Sequence, residues 1–268
     1  MKLIKLENAT SKTKVRHADD FNMSIAKLPI PAKRVLCMVL AQIANPKSKI
    51  DIEIDLRFEV TAHDYAYISN TDISVAYKAL PKAVDMLLVS TMHKDISDSN
   101  YKKAQKINIT RGAEYHYDEG YCVIRLNPDV YPYVSELSKN FTSQSLLSAS
   151  RLVDLNHANL YQSLMKRISK RNTYKDYSYF CVIDIDELKT EMVLFDVDDK
   201  GNKIFKYEEF KQFNKMLKGA IKVISEKTEI KNLAVKIHQK RGRKAKSLMF
   251  TYDLLIDDGD LDSLNFDE

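Results

Sequence analysis

The densest chemistry in this sequence is cationic. Lys211, Lys215, Lys218 and Lys222 recur at spacings of three and four, so a helix at 100° per residue gathers them into one stripe. With Phe210 at zero, the stripe falls between about 80° and 140°, and Phe213, Leu217, Ala220, Ile221 and Ile224 fall within about 80° either side of Phe210. Gln212 and Gly219 lie near 180° to 200° on the same wheel. A helix with core on one side and cationic and amide groups on the other suits a DNA groove. Lysines on a polar face are more often simply solvated, but acids then alternate with them. Here Glu208 and Glu209 stand only at the helix start, where the dipole favours them. Directly afterwards come Lys236, Lys240, Arg241, Arg243, Lys244 and Lys246 around Gly242. That glycine suits a tight turn bringing backbone and guanidinium groups close to phosphate. Helix and turn together predict contact with nucleic acid. Gly219 is less favourable than alanine inside a helix by about 1 kcal/mol; a tolerated neutral residue is its plainer meaning, and close backbone approach to DNA the sharper one.

Other chemistry is poorly represented. The histidines, at 17, 63, 93, 116, 157 and 238, form no H-x-H, no H-E-x-x-H and no cluster with cysteine, so no metal is expected. A DNA-nicking enzyme of the His-plus-Tyr type needs paired metal-binding histidines near a nucleophilic tyrosine. His116 between Tyr115 and Tyr117 is the nearest approach, and it lacks the second histidine. None of the 6 glycines belongs to a G-x-x-x-x-G-K-[ST] loop, and no G-x-S-x-G occurs. The pairs Asp184/Asp186 and Asp198/Asp199 read as caps and turns. Cys37, Cys122 and Cys181 lie far apart, as reduced thiols rather than a disulfide framework or zinc site. With 15 Tyr and no Trp, most of the placeable tyrosines at core spacing, no single-strand stacking platform is signalled. No cofactor and no enzymatic activity are expected.

These groups must be carried by a scaffold, and 268 residues with 44% hydrophobic and 29% charged side chains suit two domains. The net charge of +5 is unevenly spread: residues 205–252 hold 13 Lys+Arg against 4 Glu, whereas residues 253–268 hold 7 acids and no base. A basic module is followed by an acidic tail, expected to be disordered. No stretch approaches 18 apolar residues and the start, MKLIKLENATSK, lacks a leader's apolar run, so a cytoplasmic protein without a membrane partner is expected.

Along the chain, Pro31 suits a helix's first turn, and Val35, Leu36, Val39, Leu40 and Ile43 continue at helical spacing toward Asn45-Pro46. From Ile50 to Val60 apolar and charged residues alternate, predicting a half-buried strand with an acidic outer face. Thr61 and Asp64 cap a short helix to Ile68, Asn70-Thr71-Asp72 turns the chain, and a second helix follows with Tyr77, Leu80, Val84, Leu87 and Leu88 inward. Its outer side offers Ser74, Lys78 and Lys82, and Pro81 threatens a kink. Strands are predicted near 105–110 and 121–126, joined by a loop over Arg111 to Gly120. The serine-rich Leu137 to Ser150 reads as the connection between domains, with the next helix starting at Leu146 and Leu147 as the alternative. The order then repeats: a helix capped by Asn156, a strand at Cys181 to Ile183, a helix capped by Asp184, a turn over residues 198–202, and the lysine helix from about Tyr207. Finally Leu233, Val235 and Ile237 alternate out and Leu248, Phe250 and Tyr252 alternate back. The expected fold is α+β: two tandem winged-helix domains, mainly helical with small antiparallel β-wings, over 1–140 and 141–255, then an acidic tail over 256–268.

With these elements in order, the chain resembles the initiator (Rep) proteins of iteron-containing, theta-replicating plasmids. The resemblance runs from about Leu28 to Tyr252 and rests on PIPAKRVLCMVLAQI, VTAHDYAYISNTDISVAYKALPKAVDML and VIRLNPDVYPYVSEL in the first half. In the second it rests on ANLYQSLMKR, IDIDELKTEM, FKYEEFKQFNKMLKGAIKVISEKTEI and KRGRKAKSLMFTYDL. It implies a sequence-specific binder of tandem origin repeats, engaging double-stranded DNA as a monomer. It also implies a homodimer, formed through the first domain in equilibrium with that monomer, that represses the protein's own gene at an inverted repeat. Host replication proteins, an initiator and a helicase, are the implied partners. Carried onto this chain, the DNA-binding candidates are Ser74, Lys78 and Lys82 in the first domain. In the second, which would be the main repeat binder, they are Lys211, Gln212, Lys215, Lys218 and Lys222 with the wing Lys240, Arg241, Arg243, Lys244 and Lys246. A tandem winged-helix transcription regulator is the nearest rival, and a metal-dependent nicking enzyme a rival of another class.

Overall fold

The computed structural model describes residues 2–6, 9–10, 12–44, 56–95, 104–135, 137, 140–169, 179–199 and 201–255. The chain divides into two compact units, Met1–Arg151 and Leu152–Glu268.

In the first unit the order is β1 (Lys2–Ile4), β2 (Lys14–Ala18), α1 (Asn22–Ala26), α2 (Ile30–Ile43), β3 (Leu56–Thr61), α3 (Ala62–Ser69) and α4 (Ile73–Leu88). Next come β4 (Thr91–Asp95), β5 (Ala104–Asn108), β6 (Thr110–His116), β7 (Tyr121–Leu126), β8 (Phe141–Ser145) and α5 (Leu146–Arg151). The predicted helix at Pro31 is α2, whose Val35 to Leu40 are all buried because α4, α5, β2 and β3 surround it. α3 begins where expected: Thr61 Oγ1 accepts the Asp64 amide at 2.9 Å and donates to Asp64 Oδ2 at 2.7 Å. Asn70, left-handed at φ 52°, ends it and leads into α4.

Several expectations need correction here. Of the strand predicted over 50–60, residues 56–60 are described and 50–55, like Asn45-Pro46, lie outside the described residues. Its outer face is not simply solvated. β3 lies inside a sheet ordered β1-β3-β7-β6, so Glu59 is buried, with Lys5 Nζ at 2.9 Å from its carboxylate. Much of the loop predicted over Arg111 to Gly120 is β6, antiparallel to β7, while β5 pairs with β4. Tyr77, expected inward, is 47% exposed. The serine-rich passage is not a linker: β8 pairs antiparallel with β2, and α5 packs on α2, where Arg34 Nε donates to the Ser150 carbonyl at 2.8 Å. The division therefore follows Arg151 instead of residue 140. Hydroxyl-rich composition suggested an exposed connection, but Ser148 and Ser150 are buried beside Leu146 and Leu147.

The second unit runs α6 (Leu155–Ile168), β9 (Phe180–Asp184), α7 (Ile185–Glu191), β10 (Phe195–Val197), β11 (Lys203–Phe205), α8 (Phe210–Lys227), β12 (Ile230–Arg241) and β13 (Lys244–Leu254). Asp154, not Asn156, caps α6, accepting the amides of Asn156 and His157 at 2.8 and 3.2 Å. Asp184 caps α7 as expected, through the Asp186 amide. β9, β13 and β12 form an antiparallel sheet in the order β12-β13-β9. The inward face expected of β12 opens toward the wing: Val235 and Ile237 pair in regular register with Phe250 and Leu248, yet Val235 is half-buried and Ile237 38% exposed. Both units are winged helices, with more β-structure than wings alone require. The acidic tail, 256–268, lies outside the described residues. Cys37, Cys122 and Cys181 are buried and form no disulfide with one another.

Candidate nucleic-acid interface

α8 is amphipathic in the way its spacing predicts. Phe213, Leu217, Ala220 and Ile224 are buried against the second unit, with Phe210 and Ile221 at the margin. On the other side Lys211, Gln212, Lys215, Lys218 and Lys222 are all exposed. The helix starts at Phe210, not Tyr207, because Tyr207 is left-handed at φ 55° and turns the chain into it. At the far end β12 and β13 meet across Gly242 and Arg243, with Arg241 opposite Lys244. Gly242, at φ 61°, takes the first central position of this two-residue turn, the place where a hairpin most needs glycine. Lys240, Arg241, Arg243, Lys244 and Lys246 are exposed around it. Among the described residues, none of these nine cations, nor Lys227 at the end of α8, forms an ion pair. Their charge is left for an external anion.

Two polar side chains of α7, Lys189 buried and Glu191 half-buried, brace the elements behind this surface. Lys189 of α7 is buried; its Nζ donates to the Tyr207 carbonyl at 2.8 Å and stands over the Phe205 and Phe213 rings at 5.8 and 5.2 Å. Burial lowers its pKa, opposed by Asp186 and Glu208. It thereby clamps the chain just before α8. Glu191, at the end of α7, accepts from Lys166 at 2.8 Å and Arg167 at 2.6 Å, and from Ser163. Burial raises its carboxyl, but the hydrogen bonds and charge of α6 outweigh this and hold it below the usual range. Neither role is visible in the sequence pattern: Lys189 and Glu191 look like surface charges until α6 and the β10–β11 hairpin pack against them.

In the first unit Ser74, Lys78 and Lys82 are exposed on α4, which continues unbroken through Pro81. The face is less polar than those residues suggest, because Ile73, Val75 and Tyr77 are exposed in its first turns. The Tyr77 ring lies on the β6–β7 turn, where Gly120 is left-handed at φ 70° and a Cβ would come within 2.3 Å of the ring. His116 stacks on Tyr121 with ring centroids 4.2 Å apart, and Tyr115 on Tyr117 at 5.7 Å. The Tyr115 hydroxyl donates to Asp85 at 2.7 Å. Among the described residues no three His, Cys, Asp or Glu side chains converge where they could hold a metal.

Fold and surface together define a tandem winged-helix protein whose second unit presents an unpaired cationic helix and wing. The family description "Initiator Replication protein, WH1" matches residues 14–165, and "Initiator Rep protein, WH2" matches residues 184–252. The chain belongs to this initiator replication protein family. It is 33% identical over 270 residues to the PI protein of Escherichia coli, covering 94% of this chain and 86% of that one. It is also similar to the crystal structure of the Pi initiator protein in complex with iteron DNA. That match has a TM-score of 0.76 and 31% identity, over 93% of this chain and all of the other.

Proposed function

We propose that this protein initiates plasmid replication by binding repeated sequences, iterons, in double-stranded origin DNA. The observation that carries the reading is the cationic surface of α8 and the 240–246 wing, exposed and, among the described residues, without internal ion-pair partners. The similarity to an initiator solved on iteron DNA supports it. Lys211, Lys215, Lys218 and Lys222 with Lys240, Arg241, Arg243, Lys244 and Lys246 contact phosphates, and Gln212 reaches base edges. Ser74, Lys78 and Lys82 give the first unit a second, weaker contact. Binding energy opens the adjacent duplex with the host initiator and helicase, without catalysis or cofactor by this chain, in the cytoplasm. A homodimer formed through the first unit, in equilibrium with the monomer, represses the protein's own gene at an inverted repeat.

Selection of bound sequences from random duplexes by the purified chain tests this reading. One extended motif of about two helical turns, some 20 base pairs, is expected. Changing Lys211, Lys215 and Lys218 together to Ala should abolish its enrichment. Tandem copies of the motif should make a plasmid's replication depend on the protein; a motif that governs only transcription would instead establish the regulator. Strong binding with no enriched motif would overturn the proposal, as would metal-dependent nicking lost with His116 or Tyr117.

A further inference from the structure

The outer face of α8 holds one residue that the folded chain does not require. Gly219 is exposed in mid-helix, ordinary right-handed in φ, and a Cβ built on it meets nothing within 4 Å. Gly120 and Gly242 are left-handed and need to be glycine; Gly219 has no such reason. Alanine there would favour the helix by about 1 kcal/mol. Among the described residues nothing occupies the space this glycine leaves.

Its neighbours indicate what that space admits. Lys215 and Lys218 precede it and Lys222 follows, all exposed, while Gln212 lies seven residues back, about two turns along the same strip. A helix with its side chains is about 10–12 Å across, and the major groove of B-DNA is about 12 Å wide and 8.5 Å deep. Such a helix seats deeply only where its leading side chains are short. Removing a Cβ lowers the backbone by about one carbon–carbon bond, 1.5 Å. Lysines on either side of the seat then span to the flanking phosphates.

We propose that Gly219 is the point where the α8 backbone comes closest to the base edges of duplex DNA, and that its missing side chain determines sequence recognition. The inference rests on the DNA-binding reading above. It assigns Gly219 a positioning role: it sets the depth at which Gln212 meets the bases, and it raises specific binding at the expense of helix stability.

The test compares the full-length wild type with Gly219→Ala and Gly219→Leu, by chemical denaturation and by equilibrium binding. The probes are a duplex carrying the repeat the wild type selects and a scrambled duplex of equal length, at one salt concentration. Both variants should match or exceed the wild-type denaturation midpoint. Affinity for the repeat should fall about tenfold for Ala, or about 1.4 kcal/mol, and further for Leu, with the scrambled duplex within about twofold of wild type. Wild-type affinity in the alanine variant overturns the proposal, and so does an equal loss on both duplexes, which would place the contact on the backbone. A wild type that selects no repeat fails the underlying reading instead, an outcome distinct from a wild type whose binding Gly219→Ala reproduces.

Discussion

Replacing Lys211, Lys215, Lys218 and Lys222 together by Ala tests the electrostatic footprint quantitatively. Each phosphate neutralised on duplex DNA releases condensed counterion and contributes about −0.9 to the slope of log affinity against log salt. The nine cations of the Lys211–Lys222 stripe and the wing are all exposed and unpaired among the described residues. If each meets one phosphate the slope is about −8, and between about 50 and 200 mM salt the wild type loses about five orders of magnitude in affinity. The fourfold variant keeps the five wing cations, so its slope should relax to about −4.5 and its loss over that range to somewhat under three orders. Folding should be unaffected, since alanine is at least as good a helix former as lysine at exposed positions. Fluorescence anisotropy of a labelled duplex across a salt series gives both slopes, and a denaturation midpoint supplies the control. A properly folded variant with the wild-type slope would refute phosphate contact by the stripe. A wild-type slope near zero would refute the whole footprint.

Gly120→Ala combines a φ of 70° with a Cβ 2.3 Å from the Tyr77 ring and should destabilise the protein by more than about 2 kcal/mol. Denaturation in a Tyr77→Ala background should show a smaller penalty, and equal penalties would refute the ring contact. Glu191→Ala removes the carboxylate shared by Lys166 and Arg167, leaving Arg167 its other partner Glu187 at 2.7 Å, and should lower stability by about 2 kcal/mol; less than about 0.5 kcal/mol would show the network to be dispensable. The Glu191 contribution is present above the usual carboxylate range and fades as pH falls through its depressed value, so it appears as acid lability at the low end of a urea–pH series. His17 is fully buried, and burial lowers it to about 4 against the opposing pull of the Ala18 carbonyl and Asp19. Between pH 6.5 and 4 the unfolded chain alone takes the proton, so stability should fall by up to about 3 kcal/mol and then level off. His17→Phe should flatten that part of the urea–pH curve, and an unchanged curve would exclude His17 as its source.

The cationic surface of α8 and the wing was legible because its placement obeys local rules. A 3.6-residue period separated the buried and cationic faces of α8, and Gly242 marked the wing turn. What escaped was set by contacts distant in sequence. Nothing near Leu137 to Ser150 announces that β8 will pair with β2, more than a hundred residues earlier. Glu59 alternates like a surface residue, but β1 comes to lie beside β3 and buries it. Tyr77 has core spacing, but its ring ends at the rim on Gly120. Lys189 and Glu191 acquire their roles only from α6 and the β10–β11 hairpin. The serine passage escaped for the same reason: its composition suggests a connection, and tertiary pairing makes it the first unit's last strand and helix.

The burial of all three cysteines has a practical consequence. A thiol reacts as its thiolate, and burial pushes Cys37 up to about 12 and Cys122 up to about 11. At neutral pH the ionised fraction of Cys122 is on the order of one in ten thousand, and Cys181 is enclosed as well. Maleimide dyes and mild oxidants should therefore pass the native protein by. A single cysteine placed at Lys240 would become its reactive handle with every native thiol retained, and a fluorophore there would report the arrival of the wing on DNA one molecule at a time.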